Sequence, residues 1–281
     1  MRLDDLRETT NVEDRRGLGG GLAIGGGLGG VVLVILALVF GLDPRQLLEG
    51  QEPTPAAQVQ PGAAPAETPD FVLSKKVVGA TEDVWTDIFA ARGRRYEPAT
   101  FTVYEQGTQT GCGFGQAAMG PFYCPADRRV YLDLNFFQEL SSRFGAPGDF
   151  AKAYVIAHEI GHHVQNLMGT SDKVQAAMQR VGGGEGAEGL SVRIELQADC
   201  YAGVWAMRAD ARFHMLEMGD IEEGLAAANA VGDDTLQQES SGRVVPDSFT
   251  HGTSAQRMRW FKRGLARGEP ADCDTFNARR L

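Results

Sequence analysis

Residues 150–168 read FAKAYVIAHEIGHHVQNLM, and the spacing of their apolar side chains predicts one long helix that ends near Gly169. His158 and His162 are four residues apart, so both imidazoles lie on one helix face and can reach a single metal ion. Glu159 adjoins the first histidine, where its carboxylate can take a proton from a water at that ion. Apolar neighbours indicate that this helix is buried, which argues against two ordinary surface histidines.

A second acidic pair lies in a predicted helix over residues 191–208, where Glu195 follows His162 by 33 residues. A catalytic zinc site needs three protein ligands and leaves a position for water. Glu195 therefore supplies the third ligand, and Asp199, one turn later, can accept a hydrogen bond from the second ring nitrogen of His158. The pattern predicts one catalytic Zn²⁺ held by two histidines and Glu195, although other divalent metals bind similar sites.

These motifs resemble the bacterial putative neutral zinc metallopeptidase family, and the metal site is similar to the gluzincin pattern of thermolysin-like enzymes. The matching segments are 11–17, 111–133, 158–163, 195–200 and 249–252, so the resemblance covers nearly the whole chain except a proline-rich stretch. It implies a helix-rich α+β, zincin-like domain whose active-site helix lies beneath a small β-sheet. It also implies hydrolysis of peptide bonds by a zinc-activated water, with Glu159 as the general base and a peptide or protein as the substrate.

Two further histidines lie near these motifs. The resemblance implies that His251 stabilises the oxyanion during hydrolysis, and a core or capping histidine is the alternative at this position. His163 adjoins His162 but points about 100° away around the helix, so we expect a structural role rather than metal ligation. Nothing local assigns a role to Tyr131 or His214.

A second function from a different class stays open. The domain could be a non-catalytic, membrane-tethered module for binding or assembly, in which zinc is structural. A fourth protein ligand from His163 or His251 would favour that interpretation, because closed structural sites use four ligands. A peptide crosslink of the cell wall is an alternative substrate for the same chemistry.

The four cysteines, Cys112, Cys124, Cys200 and Cys273, predict two disulfides and an oxidising compartment. The pairing of Cys112 with Cys124 closes the shortest loop and is favoured, which leaves Cys200 with Cys273. Four buried free thiols are the alternative.

The remaining elements follow from shorter patterns. Residues 101–104 and 130–134 carry β-branched and aromatic side chains typical of strands, with a glycine-rich loop between them. Residues 83–91, 215–231 and 254–266 have apolar side chains at helical spacing. Residues 181–189 predict a second glycine-rich loop.

Residues 17–42 contain no charged side chain and would form about 39 Å of helix, long enough to cross a bilayer. We expect an uncleaved transmembrane helix, with a cleaved signal peptide as the alternative. Four arginines precede the run, which predicts a cytoplasmic amino terminus and a periplasmic domain anchored in a bacterial inner membrane. Gly17, Gly21, Gly25 and Gly29 share one helix face, which would allow homo-oligomerisation by close helix packing.

The predicted organisation is therefore a cytoplasmic tail (1–16), a transmembrane helix (17–42), a tether (43–70) and a zinc metallopeptidase domain (71–281). Five prolines between residues 51 and 70 are the reason for assigning a tether. Acidic residues outnumber basic ones by 37 to 27, which argues against a nucleic-acid partner. A hydrophobic content of 43% excludes a wholly disordered chain.

Overall fold

The computed structural model describes residues 1–17, 65–116 and 120–281. Over these ranges the chain is a helix-rich α+β structure with a small sheet, as the sequence predicts, and it is consistent with a zincin-like domain. Residues 18–42 of the predicted span and residues 43–64 of the predicted tether fall outside the described residues, so both stay predictions. No helix within the described ranges is long and apolar enough to cross a membrane.

All six strands of the described residues lie in the first half of the chain, and helices make up the regular structure of the second half. The strands are β1 (Val12–Asp14), β2 (Thr100–Tyr104), β3 (Gly107–Thr110), β4 (Gly113–Gln116), β5 (Phe122–Cys124) and β6 (Arg129–Asp133). The helices are α1 (Pro69–Ala90), α2 (Asn135–Ser142), α3 (Asp149–Leu167), α4 (Thr170–Val181), α5 (Leu190–Phe213), α6 (Asp220–Ala230), α7 (Asp233–Ser241) and α8 (Ser254–Arg267). The sequence predicts α3, α5, α6, α8, part of α1, β2 and β6, and it misses the other elements.

The main sheet has the strand order β1-β2-β6-β5. The two predicted strands, β2 and β6, pair in parallel with Phe101 opposite Val130, and β1 adds to β2 in parallel. The short strand β5 pairs antiparallel with β6 and forms one edge of this sheet. Strands β3 and β4 form a separate antiparallel hairpin. The edge formed by β5 faces the functional cleft described below.

Helix α3 lies at the centre of the domain, where it packs against α1, α5, α6 and the strands β5 and β6. Helices α5 and α8 approach so closely that a Cβ on Gly264 would overlap the carbonyl oxygen of Cys200. Glycine is required there because only a residue without a side chain allows the two backbones to touch. This close packing brings the buried face of α8 against the middle of α5.

The amino-terminal segment does not lie where the sequence predicts. Residues 1–16 are predicted as a tail separate from a domain that begins near residue 71, whereas in the structure they pack on that domain and supply β1. Leu6 is buried, and the first turns of α1, which begins at Pro69, lie beneath the segment. The segment is mostly polar, so its composition does not reveal that Leu6 lies in the core with Met1, Leu3 and Val12 packed against it.

Both predicted disulfides are present, and they join the favoured pairs. Cys112 in the β3–β4 hairpin is bonded to Cys124 at the end of β5, so the hairpin is attached to the edge strand. Cys200 in α5 is bonded to Cys273 in a short 3-10 turn near the carboxyl terminus. Neither disulfide uses a residue of the predicted metal site.

Candidate metal centre

The predicted ligands His158, His162 and Glu195 meet where α3 crosses α5. Their nearest ligand atoms all lie within 4.8 Å of one another. The Nε2 atom of His158 is 3.2 Å from Nε2 of His162 and 3.2 Å from a carboxylate oxygen of Glu195, and Nε2 of His162 is 3.4 Å from the other oxygen. Ligands about 2.0–2.1 Å from a tetrahedral zinc are about 3.3 Å apart, so these three donors fit the ion.

The second nitrogen of each imidazole is fixed by a neighbouring acceptor. Nδ1 of His158 lies 2.8 Å from a carboxylate oxygen of Asp199, and Nδ1 of His162 lies 2.9 Å from the amide oxygen of Gln165. These contacts favour the tautomer that carries its proton on Nδ1 and directs the Nε2 lone pair at the metal position. Gln165 was not predicted, although it lies three residues after His162 on the same face of the helix.

Asp199 is fully buried and receives three further hydrogen bonds. Arg257 of α8 donates from Nε to one carboxylate oxygen at 2.9 Å and from Nη2 to the other at 2.8 Å. The hydroxyl of Tyr154 donates to the same carboxylate at 2.6 Å. Burial raises the pKa of Asp199, but Arg257 and His158 outweigh it and hold the pKa well below its usual range. The carboxylate therefore stays ionised and keeps His158 oriented.

The electrostatics of the ligands follow from their mutual contacts. Burial lowers the pKa of His158, but Asp199 and Glu195 outweigh burial and raise that pKa to about 10. Burial raises the pKa of Glu195, and the two histidines bring it well below its usual range. The site is thus a cluster in which carboxylates and imidazoles stabilise one another, and a divalent cation can replace the histidine protons.

Glu159 is buried beside the ligands and lines the same cleft. Burial raises the pKa of its carboxyl, and the two neighbouring histidines, His158 and His162, offset only part of that rise. A carboxylate whose pKa is moved upward toward neutrality is a better proton acceptor and a better proton donor in the same reaction cycle.

His251 lies in the loop before α8, half-exposed, and lines the cleft that holds the metal position. Its ring is oriented by Asp233 at the start of α7, whose carboxylate lies 3.2 Å from Nδ1. The second oxygen of Asp233 accepts hydrogen bonds from the backbone N–H groups of Thr250, His251 and Gly252, at 2.7, 2.7 and 3.0 Å. The hydrogen bond to Asp233 raises the pKa of His251, which favours the protonated imidazole. Asp233 was not identified from the sequence.

The cleft above these residues has a volume of about 610 Å³. Its polar floor is formed by the predicted ligands together with Glu159 and Arg257. Its walls are mainly apolar and include Phe136, Phe144, Val155 and Leu236. The edge strand β5 forms one rim. A ligand in this cleft would therefore contact both the metal position and an open strand edge.

His163 points away from the metal position and is fully buried, as its predicted structural role requires. Its Nε2 lies 2.6 Å from the carbonyl oxygen of Glu97, and its Nδ1 accepts from the hydroxyl of Tyr123 in β5 at 3.1 Å. The side-chain amide of Asn166 donates to the same hydroxyl at 2.7 Å. These contacts fasten the edge strand to the active-site helix.

His163 is expected to make the fold sensitive to acid. Burial outweighs its bond to Glu97 and lowers the pKa of His163 to about 4 from an ordinary value of 6.5. Between these two pH values the unfolded chain binds a proton that the folded chain does not. The free energy of unfolding is therefore undiminished above pH 6.5 and falls by about 3 kcal/mol as the pH drops to 4.

Urea unfolding of the wild type and His163→Gln at pH 7 and pH 4.5 measures this effect. The wild type should be the more stable protein at pH 7, and the gap should narrow at pH 4.5. Both proteins share all other titrating groups, whose contributions cancel in the comparison. A gap of the same size at both pH values would contradict the assignment.

The other residues considered from the sequence lie outside the cluster. Tyr131 donates a hydrogen bond to Asp127 at 2.6 Å in a small aromatic cluster with Tyr104. His214 ends helix α5 in a left-handed conformation. Neither is among the residues that line the cleft.

Comparison with known proteins agrees with this site. A profile of the family described as "Putative neutral zinc metallopeptidase" matches residues 1–276. The chain belongs to this family. It is 49% identical to "Uncharacterized protein YpfJ" of Escherichia coli strain K12, over 98% of this chain and 99% of that protein. It is 41% identical to "Uncharacterized protein Rv2575" of Mycobacterium tuberculosis strain H37Rv, over 87% of this chain and 86% of that protein. No solved structure matches the chain.

Family membership confirms the resemblance predicted from the motifs. The match includes residues 1–17 as well as the metal site, so the family pattern extends over the amino-terminal segment that packs on the domain. The family's description agrees with zinc as the metal and with a peptidase as the general class. The two relatives are themselves uncharacterised, so substrate and mechanism belong to the proposal that follows.

Proposed function

We propose that the chain is a zinc-dependent peptidase that hydrolyses peptide bonds in peptides or proteins. One observation carries the proposal: three ligand atoms spaced for a tetrahedral ion lie in the floor of an open cleft, with the buried carboxylate of Glu159 beside them. Three protein ligands with a neighbouring carboxylate are the arrangement of hydrolytic zinc sites. The description of the family supports the same reaction class.

In this proposal His158, His162 and Glu195 hold one Zn²⁺. When bound, the ion would lower the pKa of a water molecule and polarise the carbonyl group of the substrate. Glu159 accepts the proton of the attacking water and returns it to the leaving amine. Its raised pKa suits transfer in both directions.

His251 has a separate role in the proposed reaction. Asp233 fixes its Nδ1 side, which leaves the Nε2–H free to donate a hydrogen bond into the cleft. Such a donor stabilises negative charge that develops on the carbonyl oxygen, and a single donor of this kind contributes about 2.7–4 kcal/mol. The protonated state favoured by Asp233 strengthens that hydrogen bond.

The substrate backbone is proposed to add to the edge strand β5. The two strands that the sequence predicts, β2 and β6, each have a neighbour on both sides and offer no free edge. Strand β5 borders the cleft and ends the sheet, so an extended peptide can pair with it. His163 and Asn166 hold the Tyr123 hydroxyl of this strand in place.

Membrane attachment through residues 17–42 and a location at the outer side of a bacterial inner membrane are part of the proposal. Two disulfides support an oxidising compartment for the domain. Self-association through Gly17, Gly21, Gly25 and Gly29 stays a prediction, since all but the first lie outside the described residues.

The alternative of a non-catalytic zinc-binding assembly module is favoured less. A structural zinc site uses four protein ligands, whereas the candidate group found among the described residues has three. Neither His163 nor His251, the proposed sources of a fourth ligand, belongs to that group.

Digestion of a mixed peptide library by the zinc-loaded full chain tests the function. Cleavage should stop when a chelator removes the metal and return when one equivalent of zinc is added. The residues on either side of each cut would show which substrate side chains the cleft prefers. No cleavage by a protein that carries one zinc per chain would favour the assembly module.

A further inference from the structure

Residues 1–17 are attached to the domain along their whole length. Strand β1 extends the sheet in register, with Glu13 opposite Thr102, and the Arg15 N–H donates to the carbonyl of Val103 at 2.7 Å. The side chain of Arg7 binds Asp83 through Nε and Nη2 at 2.9 and 2.7 Å. We call residues 1–17 the amino-terminal strap.

The strap also makes buried contacts that an adventitious tail would not make. Thr9 donates to the carboxylate of Glu82 at 2.6 Å, and both side chains are buried. The same Glu82 accepts from Arg7 at 2.8 Å. Gly79 of α1 touches the strap so closely that a Cβ there would overlap the carbonyl oxygen of Arg7. The surface of α1 is therefore shaped to the backbone of the strap.

The described chain stops at Gly17 and resumes at Pro65 close to the same place. Arg16 lies over the ring of Phe71 with 4.2 Å between the guanidinium carbon and the ring centre. Lys75, one turn further along α1, pairs with Glu8 of the strap at 2.6 Å and with Glu67 at 2.5 Å. Both ends of the intervening stretch thus leave from the first turns of α1.

We propose that the strap and the catalytic domain occupy the same compartment and fold as one unit. A single crossing of a bilayer between Gly17 and Pro65 would place them on opposite sides and would remove β1 from the sheet. Between Gly17 and Pro65 the sequence offers one uncharged run of the length that a crossing needs, 17–42, and no second run for a return. Any membrane attachment through that run is then made from one side of the bilayer.

The proposal does not depend on peptidase activity, because none of the metal ligands takes part in the contacts on which it rests. It replaces the topology predicted from the sequence, in which the amino terminus is cytoplasmic and the domain is periplasmic. It also implies that a fragment starting at residue 71 lacks the neighbour of β2, so functional tests need the full chain.

Crosslinking of the full chain in intact cells provides the first test. Cysteines replace Arg7 and Asp83, and a short, membrane-permeant bismaleimide is added; the four native cysteines are all paired in disulfides. The expected result is a crosslink between strap and α1, found by mass spectrometry and absent from each single-cysteine variant. No crosslink, with both thiols reactive toward a monofunctional maleimide, would overturn the proposal.

Gly79→Leu in the same double-cysteine chain tests whether the docking in the structure causes the crosslink. Leucine favours a helix more than glycine does, so α1 should persist while the new side chain displaces the strap. We expect the crosslink yield to fall at least tenfold. Ala90→Leu, an exposed position on the same helix, is the matched control and should leave the yield unchanged. An undiminished yield in Gly79→Leu would count against the docked strap.

Thiol accessibility provides an independent measurement of sidedness. Asp5→Cys in the strap and Arg180→Cys in α4, both exposed positions, are made singly and treated with a membrane-impermeant maleimide in sealed vesicles of each orientation. The proposal requires that both cysteines react in the same preparation. Reaction of one in right-side-out vesicles and of the other only in inverted vesicles would establish the single crossing and refute the proposal.

Discussion

Replacing Glu159 with glutamine is expected to lower peptide hydrolysis by about 10²- to 10⁴-fold while the protein keeps one zinc per chain. The amide has the shape of the carboxyl group but cannot accept the proton of an attacking water. Glu159 is not among the three grouped ligands, so the metal site should persist. The value of kcat/KM for a peptide found in the library measures the first effect, and elemental analysis of the purified protein measures the second.

Glu139→Gln is the matched control for this variant. Glu139 also lines the cleft, but it lies on α2, is exposed, and does not adjoin a metal ligand. Its loss should change kcat/KM by less than about threefold, because an exposed charge in high dielectric contributes little. A zinc-loaded Glu159→Gln protein with wild-type turnover would refute the general-base role. Loss of zinc in that variant would instead contradict the expectation that Glu159 is not needed to hold the metal.

The sequence predicts the centre of the site because its information is local. The spacing of four residues places His158 beside His162, and Glu195 beside Asp199, in any α-helix, whatever the rest of the chain does. The apolar residues of the two helices then require that they pack together. The structure accordingly brings the predicted ligands together without a change of assignment.

The residues that orient the site were not predicted because their contacts are distant in sequence. Arg257 lies 58 residues after Asp199, and no spacing rule connects a helix residue with a carboxylate that far away. Asp233 reaches His251 across 18 residues and a loop. Gln165 is the exception, since its position three residues after a ligand was a usable signal.

The amino-terminal strap shows a different limit of sequence reasoning. Its arginines resemble the positive flank of a membrane span, and no periodicity in the polar residues 1–16 reveals that β1 pairs in parallel with β2. The family motif over residues 11–17 was the available signal, because a motif in a supposed tail indicates a structural role.

Replacing Arg257 with leucine is expected to destabilise the fold by about 3–5 kcal/mol, since it leaves the carboxylate of Asp199 buried without its main partner. Both side chains are almost completely excluded from solvent, at 4% and 0% exposure. Urea unfolding at pH 7 gives the free energy directly. Lys262→Leu, an exposed cation on the same helix, is the control and should change the free energy of unfolding by less than about 0.5 kcal/mol.

The double variant Arg257→Leu with Asp199→Asn separates the stability of the buried pair from its effect on the metal ligand. Without a carboxylate there is no buried charge to compensate, so much of the lost stability should return. Zinc affinity should not return with it: the neutral amide is a weaker acceptor for the Nδ1–H of His158, and loss of such a partner lowers affinity about 10- to 100-fold. Competition with a zinc chelator measures this second quantity. Recovery of stability and zinc affinity together would mean that Asp199 serves only the packing of α5 against α8, whereas recovery of stability alone assigns it the orientation of His158.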